Sequence, residues 1–224
     1  MRAIAIDGPA GAGKSTVARG AAKKLGYIYV DTGALYRAIG LYALDHGVSP
    51  DDAQAVPALL PQIDVQLKFL GGEQHVFLNG EDVSQQIRLP ACSMAASNVS
   101  AMPPVRAFLF DLQRKLAAEN DVIMDGRDIG TVVLPNADVK LFLTASPEER
   151  ANRRYRELQE KGTPVDYDAL LEEIKQRDHN DSTRAIAPLK KADDAVEVDT
   201  TGYSLESSIA MVCEIIEKKL AQAK

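Results

Sequence analysis

The chain has 224 residues, of which 46% are hydrophobic and 26% charged, and its formal net charge is −6. This length suggests one main domain with at most a small insertion, since domains commonly contain roughly 100–200 residues. The acidic balance argues against a general nucleic-acid binder, which usually carries a basic excess. The two isolated cysteines, Cys92 and Cys213, indicate a reduced compartment and argue against a thiolate metal site.

Membrane and export signals are not apparent in the pattern. No apolar run approaches the ~18 residues that a bilayer-spanning helix needs. The N-terminus passes from Met1 and Arg2 directly into a short strand and a glycine-rich turn, unlike a signal peptide. The sequence therefore predicts a cytoplasmic protein without a membrane or nucleic-acid partner, and nothing in it calls for more than a monomer.

Short apolar runs with β-branched residues alternate with helical stretches along most of the chain. A helix over 14–25 ends at Gly26, a second helix begins near Ala34, and the last helix continues from an N-cap at Ser204 to the C-terminus. The five predicted strands are 3–6, 27–30, 122–124, 139–143 and 195–198. Alternating β and α segments predict an α/β fold in which a parallel five-stranded sheet has helices on both faces.

Residues 63–84 break this alternation. Apolar and polar residues alternate up to Gly71-Gly72, and a second such run leads into Asn79-Gly80, the strongest short hairpin signal. The pattern predicts a small antiparallel three-stranded meander. We therefore expect one core over 1–224 with an insertion at 63–95.

The segment between the first strand and the first helix matches G-x-x-x-x-G-K-[ST], the phosphate loop of P-loop NTPases. Glycines let backbone N–H groups surround an anion, and the following helix directs the positive end of its dipole to the same point. Lys14 is expected to reach the β- and γ-phosphates, and the Ser15 hydroxyl to hold Mg²⁺. An ordinary glycine-rich turn is the alternative, but the strand and helix on either side disfavour it. The predicted ATP-binding residues are Gly8, Pro9, Ala10, Gly11, Ala12, Gly13, Lys14, Ser15 and Thr16.

The rest of the chain narrows the class of P-loop protein. A GTPase needs an Asn-Lys-x-Asp segment that reads guanine, and the sequence contains none. Motor and transporter ATPases need a longer chain. A small-molecule kinase with a P-loop NTPase-like fold remains.

A second anion-binding segment is expected after the second strand, at 31–37. Ligands bind beyond the carboxyl ends of strands in an open parallel sheet. Arg37 is near the beginning of a helix, where a guanidinium gains nothing from the helix dipole, so an anionic ligand explains it better. A solvated surface arginine is the alternative.

Residues 125–128 follow the third predicted strand, again at a carboxyl end. Asp125 is suited to orient the water shell of Mg²⁺ or to polarise Lys14. Arg127 suits bidentate binding of a phosphate, and Asp128 can accept a hydrogen bond from an amine or hydroxyl. A structural cluster of ion pairs is the alternative.

Arginines crowd the segment that follows the fourth strand. Arg150, Arg153 and Arg154 share one helix face, where like charges repel. One interpretation is a solvated helix balanced by neighbouring glutamates. We favour a mobile lid that closes over ATP and supplies arginines to the transferred phosphoryl group. The lid and its flanking helices are expected over 147–184.

Taken together, these segments resemble the bacterial cytidylate kinases over essentially the whole chain. The phosphate loop alone is shared by many proteins, whereas its combination with the other segments is far more specific. The meander at 63–84 also resembles the extra nucleoside-monophosphate-binding region of that family. The segments in family order are 8–16, 31–37, 125–131 and the group Arg177, Asp178, Asp181, Arg184 and Ala185.

The resemblance implies phosphorylation of CMP by ATP, with dCMP as a second acceptor and Mg²⁺ as cofactor. The residues implied to recognise cytosine are Thr32, Ser97, Arg106 and Asp128. The residues implied to bind the CMP phosphate are Arg37 and Arg127, and those near the sugar hydroxyls are Arg177 and Asp181. The implied catalytic cations are Lys14, Arg127, Arg153 and Arg184. The roles of Ser97 and Arg106 rest wholly on the resemblance.

The attacking phosphate oxygen in such a reaction is already anionic, so no strong general base is needed. Accordingly, the histidines are expected at the surface: His46, His75 and His179. A hydroxyl kinase of the shikimate type is the main alternative, but it requires Asp31 or Asp125 as a base and leaves the insertion unexplained. A nucleotide-binding switch or assembly module is the second alternative, and it predicts binding without phosphoryl transfer.

Overall fold

A computed structural model describes residues 1–160 and 162–222 of the chain. Its strands are β1 (Ala3–Asp7), β2 (Ile28–Asp31), β3 (Val65–Leu70), β4 (Glu73–Leu78), β5 (Glu81–Asp82), β6 (Val122–Gly126), β7 (Val139–Thr144) and β8 (Val196–Asp199). Its α-helices are α1 (Lys14–Leu25), α2 (Thr32–Asp45), α3 (Ala55–Leu59), α4 (Pro90–Ser100), α5 (Pro103–Glu119), α6 (Pro147–Glu160), α7 (Tyr167–Thr183) and α8 (Leu205–Gln222). Two short 3₁₀ turns and a π-helical turn, Ile129–Val133, complete the described chain.

The central sheet has the strand order β2-β6-β1-β7-β8, and every pair in it is parallel. This confirms the predicted five-stranded parallel sheet. Ile6 and Asp31 both pair with Asp125, so three neighbouring strands end at the same level. The loops that follow β1, β2 and β6 therefore leave the sheet side by side, at the edge where ligands bind in such folds.

Helices cover both faces of the sheet, as predicted. Alternate residues of β1 point to opposite faces because side chains along a strand alternate. Ile4 and Ile6 pack with buried residues of α1 and α8, including Val212 and Ile216. On the other face, Ala5 packs with residues of β6, the end of α5 and the π-helical turn.

Local sequence signals explain where several helices begin and end. Gly26, with φ 75°, ends α1 at the predicted residue. The second helix begins at Thr32, two residues before the predicted Ala34, because the Asp31 side chain caps it by accepting from the Ala34 N–H at 3.1 Å. Ser204 caps α8 as expected, since Ser207 N–H donates to its hydroxyl oxygen at 3.2 Å.

The predicted meander is present as an antiparallel sheet with the order β3-β4-β5. Asn79 and Gly80 have φ values of 50° and 89°, and positive φ at both residues suits a tight hairpin turn. The inner face of this sheet, which includes Val76 and Leu78, packs in one core with residues of α2, α4 and α5.

The predicted bounds of the insertion, 63–95, and of the lid region, 147–184, stay predictions. Residue 95, the predicted end of the insertion, lies inside α4, which ends at Ser100. Residue 161 of the predicted lid region and residues 223–224 of the predicted last helix lie outside the described residues. Within the described ranges, none of the helices has the length and apolar character required to cross a bilayer.

Two glycines in helices test how tightly this scaffold is packed. At Gly40 in α2, an added Cβ would lie 2.7 Å from Ala95 Cβ and 3.2 Å from the Ala95 backbone. We expect Gly40→Ala to lower the free energy of unfolding by about 1–3 kcal/mol, because a rigid neighbour must move. At Gly20 in α1, an added Cβ would lie 2.4 Å from Cδ1 and 2.9 Å from Cγ1 of Ile209, a side chain whose end can move by rotation about χ2.

The matched variant Gly20→Ala should therefore lose less unfolding free energy than Gly40→Ala. Alanine also stabilises a helix relative to glycine by about 0.5–1 kcal/mol, which offsets part of the clash. Urea denaturation of both variants measures the difference. Equal losses, or a more stable Gly40→Ala protein, would contradict the packing of α2 against α4.

Candidate active site

The phosphate loop leaves β1 at Asp7 and enters α1 at Lys14. At Gly8 the backbone has φ 150° and passes so close to β7 that an added Cβ would lie 1.9 Å from the Leu143 carbonyl oxygen. Gly13, with φ 82°, turns the chain into α1, and no described side chain caps this helix. The first N–H groups of α1 are therefore available to an anion.

Lys14 lies inside the loop rather than in solvent. Lys14 is 5% exposed, and its Nζ donates to the Pro9 carbonyl oxygen at 2.7 Å. Burial and then the nearby Arg127 lower the pKa of Lys14, while the carboxyls of Asp125 and Asp7 raise it. An ammonium group has three donors, so Lys14 keeps donors for phosphate oxygens.

Asp125 joins the loop to the central sheet. The Ser15 hydroxyl donates to Oδ2 of Asp125 at 2.9 Å, and the Tyr29 hydroxyl donates to Oδ1 at 3.0 Å. Burial and then Asp31 raise the pKa of Asp125, and Lys14 opposes this rise. The hydroxyl and the carboxylate are hard oxygen donors side by side, which is the ligand type that Mg²⁺ prefers, so these residues fit the ion.

Asp7 is a buried residue of the site that the sequence reasoning missed. It is 4% exposed, and its two oxygens accept from the N–H groups of Ile129 and Gly130, each at 2.7 Å. This carboxyl therefore fixes the turn that directly follows Asp128. Burial raises the pKa of Asp7 to about 6, against the effect of the two N–H donors. The signal in the sequence that could have revealed Asp7 is its position: it is an acidic residue at the end of the apolar strand β1.

A cleft of about 370 Å³ extends from the phosphate loop along the carboxyl ends of β2 and β6. The predicted residues that line it are Ala10, Gly11, Gly13, Lys14, Ser15, Thr16, Thr32, Arg37, Ser97, Arg106, Asp125, Arg127, Asp128, Arg177, Asp181 and Arg184. The predicted residues outside its lining are Gly8, Pro9, Ala12 and Arg153. The structure thus brings residues that are far apart in sequence into one concave surface.

One wall of the cleft is built around Asp128. Arg106 forms an ion pair with one carboxylate oxygen, and Arg184 Nη2 lies 3.6 Å from the other. Burial raises the pKa of Asp128, and the two guanidinium groups oppose the rise. Arg184 also donates to the Ser100 hydroxyl at 3.3 Å, while its buried Nη2 has no hydrogen-bond partner within the described chain.

A second group of cations faces the phosphate loop. Arg127 Nε donates to Oδ2 of Asp181 at 2.9 Å. Burial, followed by the charge of Arg127, lowers the pKa of Arg177, and Arg37 adds to this effect. The buried Nε of Arg177 has no hydrogen-bond partner in the described residues. Asp181 pairs with Arg127, and both Asp181 and Glu173 act on Arg177, so the guanidinium groups of Arg37, Arg127 and Arg177 outnumber these carboxylates and suit an anionic ligand.

The structure separates the three arginines of α6 that were predicted to share one helix face. Arg150 is 2% exposed; it donates to the Ala10 carbonyl at 2.8 Å and pairs with Asp178 of α7. It therefore ties α6 to the phosphate loop and is not a free lid arginine. Arg154 is half exposed and pairs with Glu157.

Arg153 lies beside the phosphate loop. Its guanidinium bonds to Glu149 at 2.9 Å and to the Thr200 carbonyl at 2.8 Å, and Nη1 lies 3.6 Å from a Cβ built on Gly13. Nε and Nη2 of Arg153 therefore donate to protein oxygens, while Nη1 faces the loop.

Other residues of the cleft carried no local signal. The Arg106 guanidinium lies 5.8 Å from the ring centroid of Tyr36, a tyrosine that also lines the cleft. Ser100 and Glu157 also line the cleft, and sequence reasoning did not assign either of them to the site. The histidines lie apart from this lining: His46 and His179 are exposed, and His75 is half-buried beside Asp82.

Comparison with known proteins identifies the family. The family model described as cytidylate kinase matches residues 4–219. This chain belongs to the cytidylate kinase family. The resemblance inferred from the sequence is therefore confirmed.

Relatives support this membership along the whole chain. The cytidylate kinase of Caldicellulosiruptor bescii is 54% identical over 215 residues, which cover 96% of this chain and 95% of that protein. The cytidylate kinase of Carboxydothermus hydrogenoformans is 52% identical over 218 residues, covering 96% and 97%. A solved structure of an uncharacterized Eubacterium ventriosum protein has a TM-score of 0.53 at 13% identity and covers 97% of this chain and 99% of that one. That structure supports the fold alone.

The raised pKa of Asp7 gives a pH prediction for this cytidylate kinase family member. A carboxyl group with pKa about 6 when folded binds protons more tightly than in the unfolded chain, where its pKa is about 3.9. Its stabilising effect is therefore complete below about pH 4 and is lost as the pH rises through about 6. Relative to Asp7→Asn, the native protein should lose up to about 3 kcal/mol of unfolding free energy between these limits.

Urea denaturation of both proteins at a series of pH values measures this difference. Asp52→Asn is the control of opposite sign, because the N–H groups of Ala55 and Gln54 lower the pKa of the exposed Asp52. A flat difference between the native protein and Asp7→Asn would contradict a raised pKa for the buried Asp7.

Proposed function

We propose that this chain transfers the γ-phosphoryl group of ATP to CMP, giving ADP and CDP, and accepts dCMP in the same site. The observation that carries the proposal is that one cleft contains both the phosphate loop and the group of cations Arg37, Arg127 and Arg177. Two relatives at 52–54% identity carry the name cytidylate kinase, which supports CMP as the acceptor. The proposal also describes a cytoplasmic monomer that acts on small nucleotides and has no nucleic-acid or membrane partner.

ATP is proposed to bind through the N–H groups of the phosphate loop at residues 8–16, with Lys14 donating to its β- and γ-phosphates. Ser15 is proposed to hold Mg²⁺ and Asp125 to orient its water shell; their oxygens lie 2.9 Å apart. A bound Mg²⁺ neutralises part of the phosphate charge. Asp125 additionally keeps Ser15 in position, because the Ser15 hydroxyl donates to it.

CMP is proposed to occupy the opposite end of the cleft. Its phosphate lies between Arg37 and Arg127, and its sugar hydroxyls lie near Arg177 and Asp181. Its base meets the wall around Asp128, where a carboxylate and guanidinium groups offer both an acceptor and donors. The residues proposed to read cytosine are Thr32, Ser97, Arg106 and Asp128.

The chemistry follows from the charges. An anionic oxygen of the CMP phosphate forms a bond to the γ-phosphorus, the bond from that phosphorus to the bridging β–γ oxygen breaks, and ADP leaves with the electron pair. No proton must be removed from the attacking oxygen, so catalysis consists of alignment and charge neutralisation. The proposed catalytic cations are Lys14, Arg127, Arg153 and Arg184.

Closure of the region 147–184 over the nucleotides is proposed to exclude water, which otherwise hydrolyses ATP. Arg153 already lies beside Gly13, where the phosphates bind. Its Nε and Nη2 donate to Glu149 and to the Thr200 carbonyl, so Nη1, the nitrogen nearest Gly13, is the one proposed to donate to phosphate oxygens.

A hydroxyl kinase is the competing function, and the contacts of its required base disfavour it. Asp31 accepts from the Ala34 N–H as the cap of α2, and Asp125 accepts from the hydroxyls of Ser15 and Tyr29. Both carboxylates therefore already have structural roles, with which proton abstraction from an acceptor hydroxyl would compete.

A coupled ADP-release assay tests the proposal. The native protein should turn over ATP with CMP and dCMP and should be inactive with shikimate. Lys14→Ala should lower CMP-dependent turnover by about 10²-fold or more, because preorganised charge in a buried site contributes on this scale. ATP consumption that responds to shikimate and not to CMP, or near-native turnover in Lys14→Ala, would sink the assignment.

Base recognition is tested by Asp128→Ala. Removal of this carboxylate deletes a proposed acceptor and leaves Arg106 and Arg184 unpaired, so CMP affinity should fall by about tenfold. ATP affinity should stay within about twofold. Isothermal titration calorimetry measures both, with Asp194→Ala as the control, since that carboxylate pairs with Lys140 outside the cleft lining. Unchanged CMP affinity in Asp128→Ala would remove this residue from the base site.

A further inference from the structure

Gln74 is a polar residue on the apolar inner face of the inserted sheet. Residues two apart on a strand share a face, so Gln74 lies in line with Val76 and Leu78, both of which are buried in the core. A polar group at such a position is costly unless it forms hydrogen bonds. The partners of Gln74 are therefore informative.

Both polar atoms of the Gln74 side chain bond to the backbone of Asp31. Oε1 accepts from the Asp31 N–H at 2.8 Å, and Nε2 donates to the Asp31 carbonyl oxygen at 3.3 Å. The backbone N–H can only donate, so it fixes which way the amide is turned. We call this pair of hydrogen bonds the Gln74 clasp.

The clasp occupies the edge of the central sheet. In the strand order β2-β6-β1-β7-β8, β2 is an edge strand with one side not paired to a neighbouring strand. A side-chain amide carries the same donor and acceptor as a peptide group. Gln74 thus takes the place of one residue of a further strand, and this attaches the insertion to the core at the last residue of β2.

Asp31 is also where the proposed acceptor site begins. Its side chain caps α2, the helix that carries Arg37, and the next residue, Thr32, donates from its hydroxyl to the Asp125 carbonyl oxygen at 2.8 Å. A displacement of the Asp31 backbone therefore moves Thr32 and the start of α2. The ATP loop between β1 and α1 has no bond to Gln74.

We propose that Gln74 is a positioning residue for CMP: through its clasp on Asp31, it holds the start of α2 and the insertion in the arrangement that binds the acceptor nucleotide. The inference rests on the proposed function, because it assigns Thr32 and Arg37 to the acceptor site. Gln74 itself lies outside the lining of the main cleft and touches no reacting atom.

The variant Gln74→Leu tests the clasp, since leucine keeps much of the apolar volume and removes both hydrogen bonds. The KM for CMP should rise by about 3- to 10-fold, the scale of one or two hydrogen bonds, while the KM for ATP stays within about twofold. The matched control is Gln66→Leu on β3 of the same sheet. Gln66 is exposed and its amide bonds only to the exposed Asp64, 2.7 Å away.

A second measurement does not depend on catalysis. Hydrogen exchange followed by mass spectrometry should show faster exchange in the peptide that contains Asp31 and the first turn of α2 in Gln74→Leu, and native exchange in Gln66→Leu. Purely structural damage would instead raise the KM values for both nucleotides together or appear equally in both variants.

The outcomes separate the two proposals. If the native protein shows no CMP-dependent turnover, the proposed function fails. If the native protein is active but Gln74→Leu keeps the native KM for CMP, or raises the KM for ATP equally, the role of Gln74 is overturned and the function stands. Native exchange at Asp31 in Gln74→Leu would also overturn the clasp.

Discussion

The parallel pairing of β2, β6 and β1 is the constraint on which the rest of the structure depends. Because Asp31 and Ile6 both pair with Asp125, the chain leaves three strands at one level and one edge. The phosphate loop, the start of α2 and the segment with Arg127 and Asp128 thereby become neighbours. A change of register by one residue would move every side chain of the shifted strand to the opposite face of the sheet. It would also separate the three segments that form the cleft.

Buried charge at this edge is balanced on one side and left in excess on the other. Lys14 is compensated by Asp125 and Asp7, and a buried charge without such partners costs several kcal/mol. The wall with Arg37, Arg127 and Arg177 has fewer carboxylates than guanidinium groups. Burial and then the like charges of neighbouring arginines lower the pKa of Arg177, so the free protein holds an arrangement that an anion stabilises.

Local patterns made the sheet, the meander and the phosphate loop predictable, because each depends on neighbouring residues only. The role of Asp7 was not predictable in this way, since its partners, Ile129 and Gly130, are more than 120 residues away. Ser97 and Arg106 lie in helices whose sequence signals nothing, and they were reached only through the family resemblance. Tertiary contacts likewise decide that Arg150 is buried although its helix reads as solvated.

The burial of Arg150 also limits how the proposed lid region, residues 147–184, can move. Its guanidinium donates to the Ala10 carbonyl of the phosphate loop and to the Ala145 carbonyl, and it pairs with Asp178 of α7. The first turn of α6 is therefore held to the phosphate loop and to α7. A rigid rotation of the whole region 147–184 would keep the Arg150–Asp178 pair, which lies inside it, but would break the buried bonds from Arg150 to the Ala10 and Ala145 carbonyls, each costing on the order of 1.5–3 kcal/mol. Closure is far less costly if it bends α6 beyond Arg150, where Arg154 and Glu157 are largely exposed.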